Sequence, residues 1–282
     1  MDPPTTTPPP SPPTHDDPTT PSSMVTTSLT PSEQDDLTIK QTQEIELEIT
    51  TTTPLITPHP LPLGPTLLPL YTSDPIYTSK VHTICKTFTK IRRTRPDGNC
   101  FYRAVLFRLF EVGCEGEEFH KKLEDKWKSW KGVLVEAGYT QFTVEDFYDH
   151  FGESLSTLTT STPPLDLPSL YFTSPATCDY LTVFLRILTA AELTRNSSFY
   201  SNFLTTAPTM EEFTKLEVEP MGKEADHLQI SALAAVLGVG IKIIYMDRGE
   251  DSEELVEHLF PEGEGEYPIV LLYRPGHYDL IY

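Results

Sequence analysis

Sixteen of the chain's 27 prolines lie in its first seventy residues, set among runs of Thr and Ser. Proline has no backbone N–H and a fixed φ, so neither helix interiors nor central strands pass through such a stretch. The composition also offers too little apolar surface to offset the entropy of ordering it. Residues 1–70 therefore read as a disordered Pro/Thr-rich tail and residues 71–282 as one folded domain. A domain of roughly 200 residues buries enough surface to need no staples. Within the tail, Ile45, Leu47 and Ile49 alternate with Glu44, Glu46 and Glu48. That is a strand period. An isolated strand is unstable, so the segment is expected to be disordered or to order on a partner.

Charge narrows the function classes. The formal net charge is -20. Residues 1–80 hold ten of the 41 acids and two of the 21 bases, which leaves 31 acids and 19 bases, or -12, to the rest. Nucleic-acid binding needs a basic footprint, so DNA and RNA are not expected partners. The charge suits a basic protein or peptide, or solubility alone. The four cysteines (Cys85, Cys100, Cys114 and Cys178) include no C-x-x-C pair and have no accompanying His cluster. Neither a structural zinc nor an organic cofactor is expected. The N-terminus lacks the apolar core of a secretory signal. The most apolar stretch, Ile230–Met246, contains Lys242 and falls short of the ~20 apolar residues that span a bilayer. No membrane association is expected, and the chain is placed in the cytosol or nucleus, with reduced thiols.

From Tyr77 the patterns become globular. Helices are predicted from near Cys100, over Glu117–Glu136, around Phe147 and Phe151 behind a Thr143–Asp146 capping box, over Tyr180–Leu193 behind Asp179, and over His227–Leu237 between Asp226 and Gly238. Thr209–Glu212 is another capping box. Ser154–Thr177 reads as a long connection. Strands are predicted over Gly240–Met246, Ile269–Tyr273 and His277–Tyr282, with a turn at Arg274–Gly276. Helices first and strands last give an α+β class, with a small, mostly antiparallel sheet flanked by helices.

Two constellations carry chemistry. Cys100 follows a Gly98-Asn99 turn and opens a helix, where unpaired N–H groups favour a thiolate and can receive an oxyanion. Gly98 lets the backbone approach a substrate closely. The competing reading is a buried cysteine acting as a small apolar residue. The second constellation is His277 with Asp279. At i and i+2 of a strand they share one face, so the carboxylate can hold one imidazole nitrogen and leave the other as a base. A solvated strand face is the competing reading. Asp97 could brace the turn by accepting backbone N–H bonds or could itself orient His277, and sequence does not separate the two. His227, beside Asp226 at a helix start, suits a structural or binding role better than a catalytic one.

Several longer motifs carry a family resemblance. Ile91–Ala104 (IRRTRPDGNCFYRA) and Leu271–Tyr282 (LLYRPGHYDLIY) resemble the nucleophile and histidine motifs of the otubains, of the ovarian-tumour class of deubiquitinases. Tyr139–Phe147, Asp179–Ala190, Val218–His227 and Ile244–Glu250 resemble otubain segments in the same order. The resemblance covers about residues 71–282. It implies a papain-like cysteine protease core that hydrolyses the isopeptide bond after ubiquitin's C-terminal glycine. Cys100 maps to the nucleophile, His277 to the base, Asp279 to its orienter and Asp97 to the acid of the D-G-N-C motif. It also implies ubiquitin contacts at Met210, Phe213, Glu224 and His227. Ubiquitin, polyubiquitin chains and ubiquitin-conjugating enzymes are the implied partners. In otubains the arm before the core can contact a second ubiquitin or restrain conjugating enzymes. This arm shows no clear amphipathic helix, which leaves those roles open. Two rival readings are a regulator that binds conjugating enzymes with catalysis secondary, and a papain-like hydrolase of another modifier.

Overall fold

A computed structural model describes residues 30–158, 166–248 and 255–282. The expected disorder of residues 1–29 lies outside them, as does part of the predicted connection. The chain divides into two compact units, Met1–Gln43 and Glu44–Tyr282. Helices of ten residues or more are labelled α1–α7.

Two expectations for the first seventy residues are corrected. The alternating segment is helical, within α1 (Pro31–Thr52). No proline follows Pro31 until Pro54, and threonine hydroxyls bond back to carbonyls four residues earlier, as Thr38 does to Gln34 (2.8 Å) and Thr52 to Glu48 (2.7 Å). The period-two pattern here does not create a buried face, since Ile45 and Leu47 are exposed. The boundary at residue 70 also falls inside the second unit. Leu55, Ile56, Leu63 and Leu67 are all at most 2% exposed. Pro62, between them, sits on an edge strand, where a proline is tolerated: Leu61–Pro62 forms β1. Averaging composition over seventy residues hid these apolar anchors.

The sheet is six-stranded, in the order β1–β2–β6–β5–β3–β4. Besides β1 it contains β2 (Lys90–Arg92), β3 (Ile241–Tyr245), β4 (Val256–Phe260), β5 (Ile269–Arg274) and β6 (His277–Ile281). Only β3 and β5 pair in parallel; the other ladders are antiparallel. The three predicted strands are β3, β5 and β6. The short β2 and the β4 strand carried no clear alternation. β6 sits between β2 and β5, and all five of its residues are buried. The strand period sends Tyr278 and Leu280 into the main core and Ile281 into a second cluster with Ile91, Ile244 and Leu272. The second cluster is closed by Leu63, Leu67 and residues of α2 (Pro75–Ile84). The α+β class stands.

The main core is helical. α3 (Cys100–Glu115) packs against β6, with Phe101 edge-on to Tyr278 at 5.4 Å. Around it lie α4 (Glu117–Glu136), α5 (Gln141–Thr157) and α6 (Pro175–Arg195). α5 begins two residues before the predicted Thr143 cap. α6 begins four residues before Asp179, because Pro175 suits a first helical position. α7 (His227–Leu237) has the predicted caps: a capping box between Asp226 and Gln229, and Gly238 at φ 66°. Thr209 caps a four-residue helix by accepting from the Glu212 N–H. A short helix, Leu167–Tyr171, interrupts the predicted connection. Among the described residues no helix is long and apolar enough to cross a membrane.

Candidate active site

α3 starts at Cys100 because the preceding turn is tied on several sides. Asp97 accepts from the Asn99 N–H through Oδ1 (3.1 Å). Both of its oxygens also receive the guanidinium of Arg103, at 2.9 and 2.8 Å. Such a two-pronged pair fixes geometry as well as charge. Gly98 has φ 73°, and a Cβ there would lie 2.0 Å from the carbonyl oxygen of Gly222. Asn99 Oδ1 accepts from the Gly222 N–H (2.9 Å) and from Arg186 (2.8 Å). Cys100 is 3% exposed. It stands where first-turn N–H groups have no intrahelical partner.

β6 delivers the other half. His277 Nε2 meets Asp279 Oδ1 at 2.9 Å, within one strand face as the i,i+2 spacing requires. Asp279 is fully buried and accepts two further donors: the Thr94 N–H (2.9 Å) and Arg274 Nη2 (2.5 Å). Burial alone would raise its pKa, but His277, Arg274 and the Thr94 N–H together hold it below the usual carboxylate value. His277 is 8% exposed. Burial works against its charged form, yet hydrogen bonding and charge from Asp279 and Cys100 push it up to about 9. Its Nδ1 is buried with no partner at hydrogen-bonding geometry. The ring is thus held by a carboxylate through one nitrogen, and the other is left without a hydrogen-bond partner.

The two carboxylates that sequence left open have different partners. Asp97 is engaged with the turn and Arg103, and Asp279 with His277. The Asn99 N–H is taken by Asp97, so Asn99 braces the turn rather than offering that N–H to a substrate. The four expected contact residues divide. Phe213, Glu224 and His227 line one cleft of about 900 Å³, together with Phe199, Phe203 and Phe260. Glu224 also lies against Gly276, at the β5–β6 turn that precedes His277. Met210 is not among the cleft's lining residues: it is 5% exposed and packs with Tyr200, Phe213 and Val218. The Thr209 cap fixes that short helix with its apolar residues facing inward. His227 rests edge-on against His258 (4.9 Å) and Phe260 (5.1 Å), remote in role from the thiol.

Sequence reasoning missed Thr94, Arg103, Arg186 and Arg274. Arg103 and Arg186 did carry a signal: each is a cation inside an apolar helical run, a place that demands buried partners. Among the described residues no cluster of His, Cys, Asp and Glu could hold a metal ion.

The family model of peptidase C65, otubain, matches residues 48–282. The chain is an otubain. This otubain is 40% identical over 248 residues to the ubiquitin thioesterase OTUB1 of Homo sapiens, covering 88% of this chain and 90% of that protein. It is 34% identical over 240 residues to an ovarian-tumour-domain-containing deubiquitinating enzyme of Arabidopsis thaliana, covering 78% of each. Its fold is similar to that of h/ceOTUB1 in solved complexes with ubiquitin aldehyde and UBC13~Ub or UBCH5B~Ub. For both, the TM-score is 0.80 at 32% identity, over 88% of this otubain and 98% of that chain.

Proposed function

We propose that this otubain is a deubiquitinating cysteine isopeptidase that cleaves after the C-terminal glycine of ubiquitin, with Cys100 as nucleophile, His277 as base and Asp279 as its orienter. One observation carries the assignment of roles: a buried imidazole held by Asp279 through Nε2, with Nδ1 otherwise unpartnered and the Cys100 side chain acting on its charge. His277 takes the thiol proton. The thiolate adds to the glycine carbonyl carbon, and the resulting oxyanion lies toward the first-turn N–H groups of α3, chiefly that of Cys100. Collapse breaks the C–N bond, and His277 returns the proton to the departing lysine amine. Water then hydrolyses the thioester with the neutral ring as base.

The cleft fits the substrate's chemistry. Glu217, Glu224, Asp226 and Glu262 line it beside apolar side chains. The basic tail of ubiquitin is complementary to that charge, and charge complementarity steers association and partner choice. Ubiquitin-loaded conjugating enzymes are a second class of partner, supported by the complexes of the similar h/ceOTUB1 chains. All four cysteines are free, as a nucleophilic thiol in the reducing cytosol or nucleus would be.

The test is covalent capture. A ubiquitin bearing a C-terminal electrophile should add once, at Cys100, and Cys100→Ser should abolish the adduct. Mapping of the adduct to Cys85, Cys114 or Cys178 overturns the assignment. A panel of probes built on other small modifiers should label far more weakly.

A further inference from the structure

α6 is apolar over most of its length, yet Arg186 interrupts it at complete burial. A cation withdrawn from water requires close compensation. Here it comes from neutral oxygens. Nη1 donates to the Val218 carbonyl (3.0 Å), and Nη2 donates to the carbonyls of Gly98 (2.9 Å) and Lys223 (2.7 Å) and to Asn99 Oδ1 (2.8 Å). The guanidinium lies 4.3 Å over the ring of Tyr102. No ion pair to a carboxylate accompanies these bonds among the described residues.

The partners fall into two stretches of chain. Gly98 and Asn99 form the turn before the nucleophile. Val218 and Lys223 bound the segment whose Gly222 N–H bonds Asn99 and whose Gly222 carbonyl excludes any side chain at Gly98. Glu217 and Glu224, just outside that segment, line the cleft. The Gly98–Asn99 peptide is thereby pinned at both ends. Arg186 holds its carbonyl oxygen, and Asp97 holds its N–H. Burial holds the Arg186 guanidinium below its usual value, and Tyr102, Asp97 and Cys100 oppose that fall, which places its charge within reach of the thiol.

We infer that Arg186 is a positioning residue for the thiol chemistry: it clamps the turn before the nucleophile to the 218–223 segment and so fixes where the first turn of α3 begins. The inference rests on Cys100 being the nucleophile, and its test keeps the two apart.

The test uses the full chain, a single-ubiquitin fluorogenic substrate and four proteins: wild type, Arg186→Lys, Asn99→Ala and the double variant. Lysine keeps the charge, but its ammonium cannot reproduce a fork that spans both stretches. Arg186→Lys should lower kcat by ~30-fold and leave KM within ~3-fold, with a melting temperature close to wild type, because the defect arises in the transition state. Asn99→Ala should show the same split. The double variant should fall no more than ~3-fold below the worse single, since residues of one clamp do not act additively. A kcat in Arg186→Lys within ~2-fold of wild type, a loss confined to KM, or multiplied losses in the double variant would overturn the inference. If Arg186→Lys does not fold, Asn99→Ala decides: a fall in kcat at constant KM supports the clamp, and an unchanged kcat overturns it. Failure of the wild-type protein to be labelled by the ubiquitin electrophile overturns the nucleophile assignment, and the clamp's role with it.

Discussion

Replacing Asp279 by asparagine keeps the shape of the buried site and removes one charge. In the native protein the carboxylate faces three donors: His277, Thr94 and Arg274. Burial favours the neutral forms of both His277 and Asp279, so the upward shift of His277 comes from its neighbours. A rise from the ordinary value of 6.5 to about 9 corresponds to ~3 kcal/mol in favour of the imidazolium. Asp279 and Cys100 share that work, and the Asp279 hydrogen bond is the largest raising contribution. Losing its charge should therefore lower the histidine's value by at least ~1 unit. The alkaline limb of kcat/KM, which reports loss of the imidazolium in the free enzyme, should move acidward from near 9. Turnover should fall as well. Loss of an orienting carboxylate in a serine-protease triad costs about 10⁴, and with Thr94 and Arg274 still able to hold an amide, ~10²–10⁴ is expected here. Asp279→Ala should do worse, because it strips a fully buried site of its acceptor and leaves Arg274 uncompensated.

Stability should follow the same pair with a definite sign. A histidine raised in the folded state contributes fully below its unfolded value of 6.5 and loses that contribution as pH rises through about 9. A carboxylate lowered in the folded state contributes above its unfolded value of 3.8 and loses its contribution as pH falls through its lower folded value. The melting-temperature gap between wild type and Asp279→Asn should thus be widest between about pH 4 and 6.5 and narrow as pH rises through about 9, where the histidine's share is lost and the share from Arg274 and Thr94 remains. The assay is a pH series of fluorogenic ubiquitin hydrolysis beside thermal melts in the same buffers. An alkaline limb that stays in place, with turnover within ~3-fold of wild type, would refute Asp279 as the orienter of His277.

Further expectations concern the turn and the domain edge. Gly98→Ala would set a Cβ 2.0 Å from the Gly222 carbonyl, so the turn must open; labelling of Cys100 by the ubiquitin electrophile should fall by at least ~10², and undiminished labelling would show that the turn is not held shut. Asp97→Asn should retain more activity and a higher melting temperature than Asp97→Ala, because an amide oxygen can still accept from Asn99 and Arg103; equal loss in both would argue that the carboxylate charge itself is required. Deleting residues 1–43 should leave the melting temperature of the second unit nearly unchanged. Deleting residues 1–70 removes Leu55, Ile56, Leu63 and Leu67 from the core. At ~1.5–3 kcal/mol each, these approach the whole stability of a domain, and a cooperative melt near the wild-type temperature in that deletion would contradict their place in it.

What was legible in the sequence was local, and what was hidden was distant or averaged. Cys100 and His277-x-Asp279 could be read because each depends on one element: a helix that must begin after a Gly-containing turn, and a strand whose period puts i and i+2 together. The same reasoning misread the alternation from Glu44 to Ile49. Period two is strand evidence only where one face is buried, and no such face exists for side chains that stay in solvent. The Pro-rich composition suggested a boundary at residue 70 because it counted prolines and not the leucines between them, whereas an edge strand tolerates both. Arg186 marks the other limit. A cation between Leu185 and Ile187 in an apolar helix announces a buried network, but nothing local says with what. Its partners are main-chain oxygens, which have no residue-type signature, and they lie as far as 88 residues away in the chain. The proposed triad is therefore readable from two short motifs, while the clamp inferred for Arg186 is written in backbone geometry. Substitutions that leave every triad side chain intact can still be expected to silence this enzyme, and Arg186 is where that expectation is sharpest.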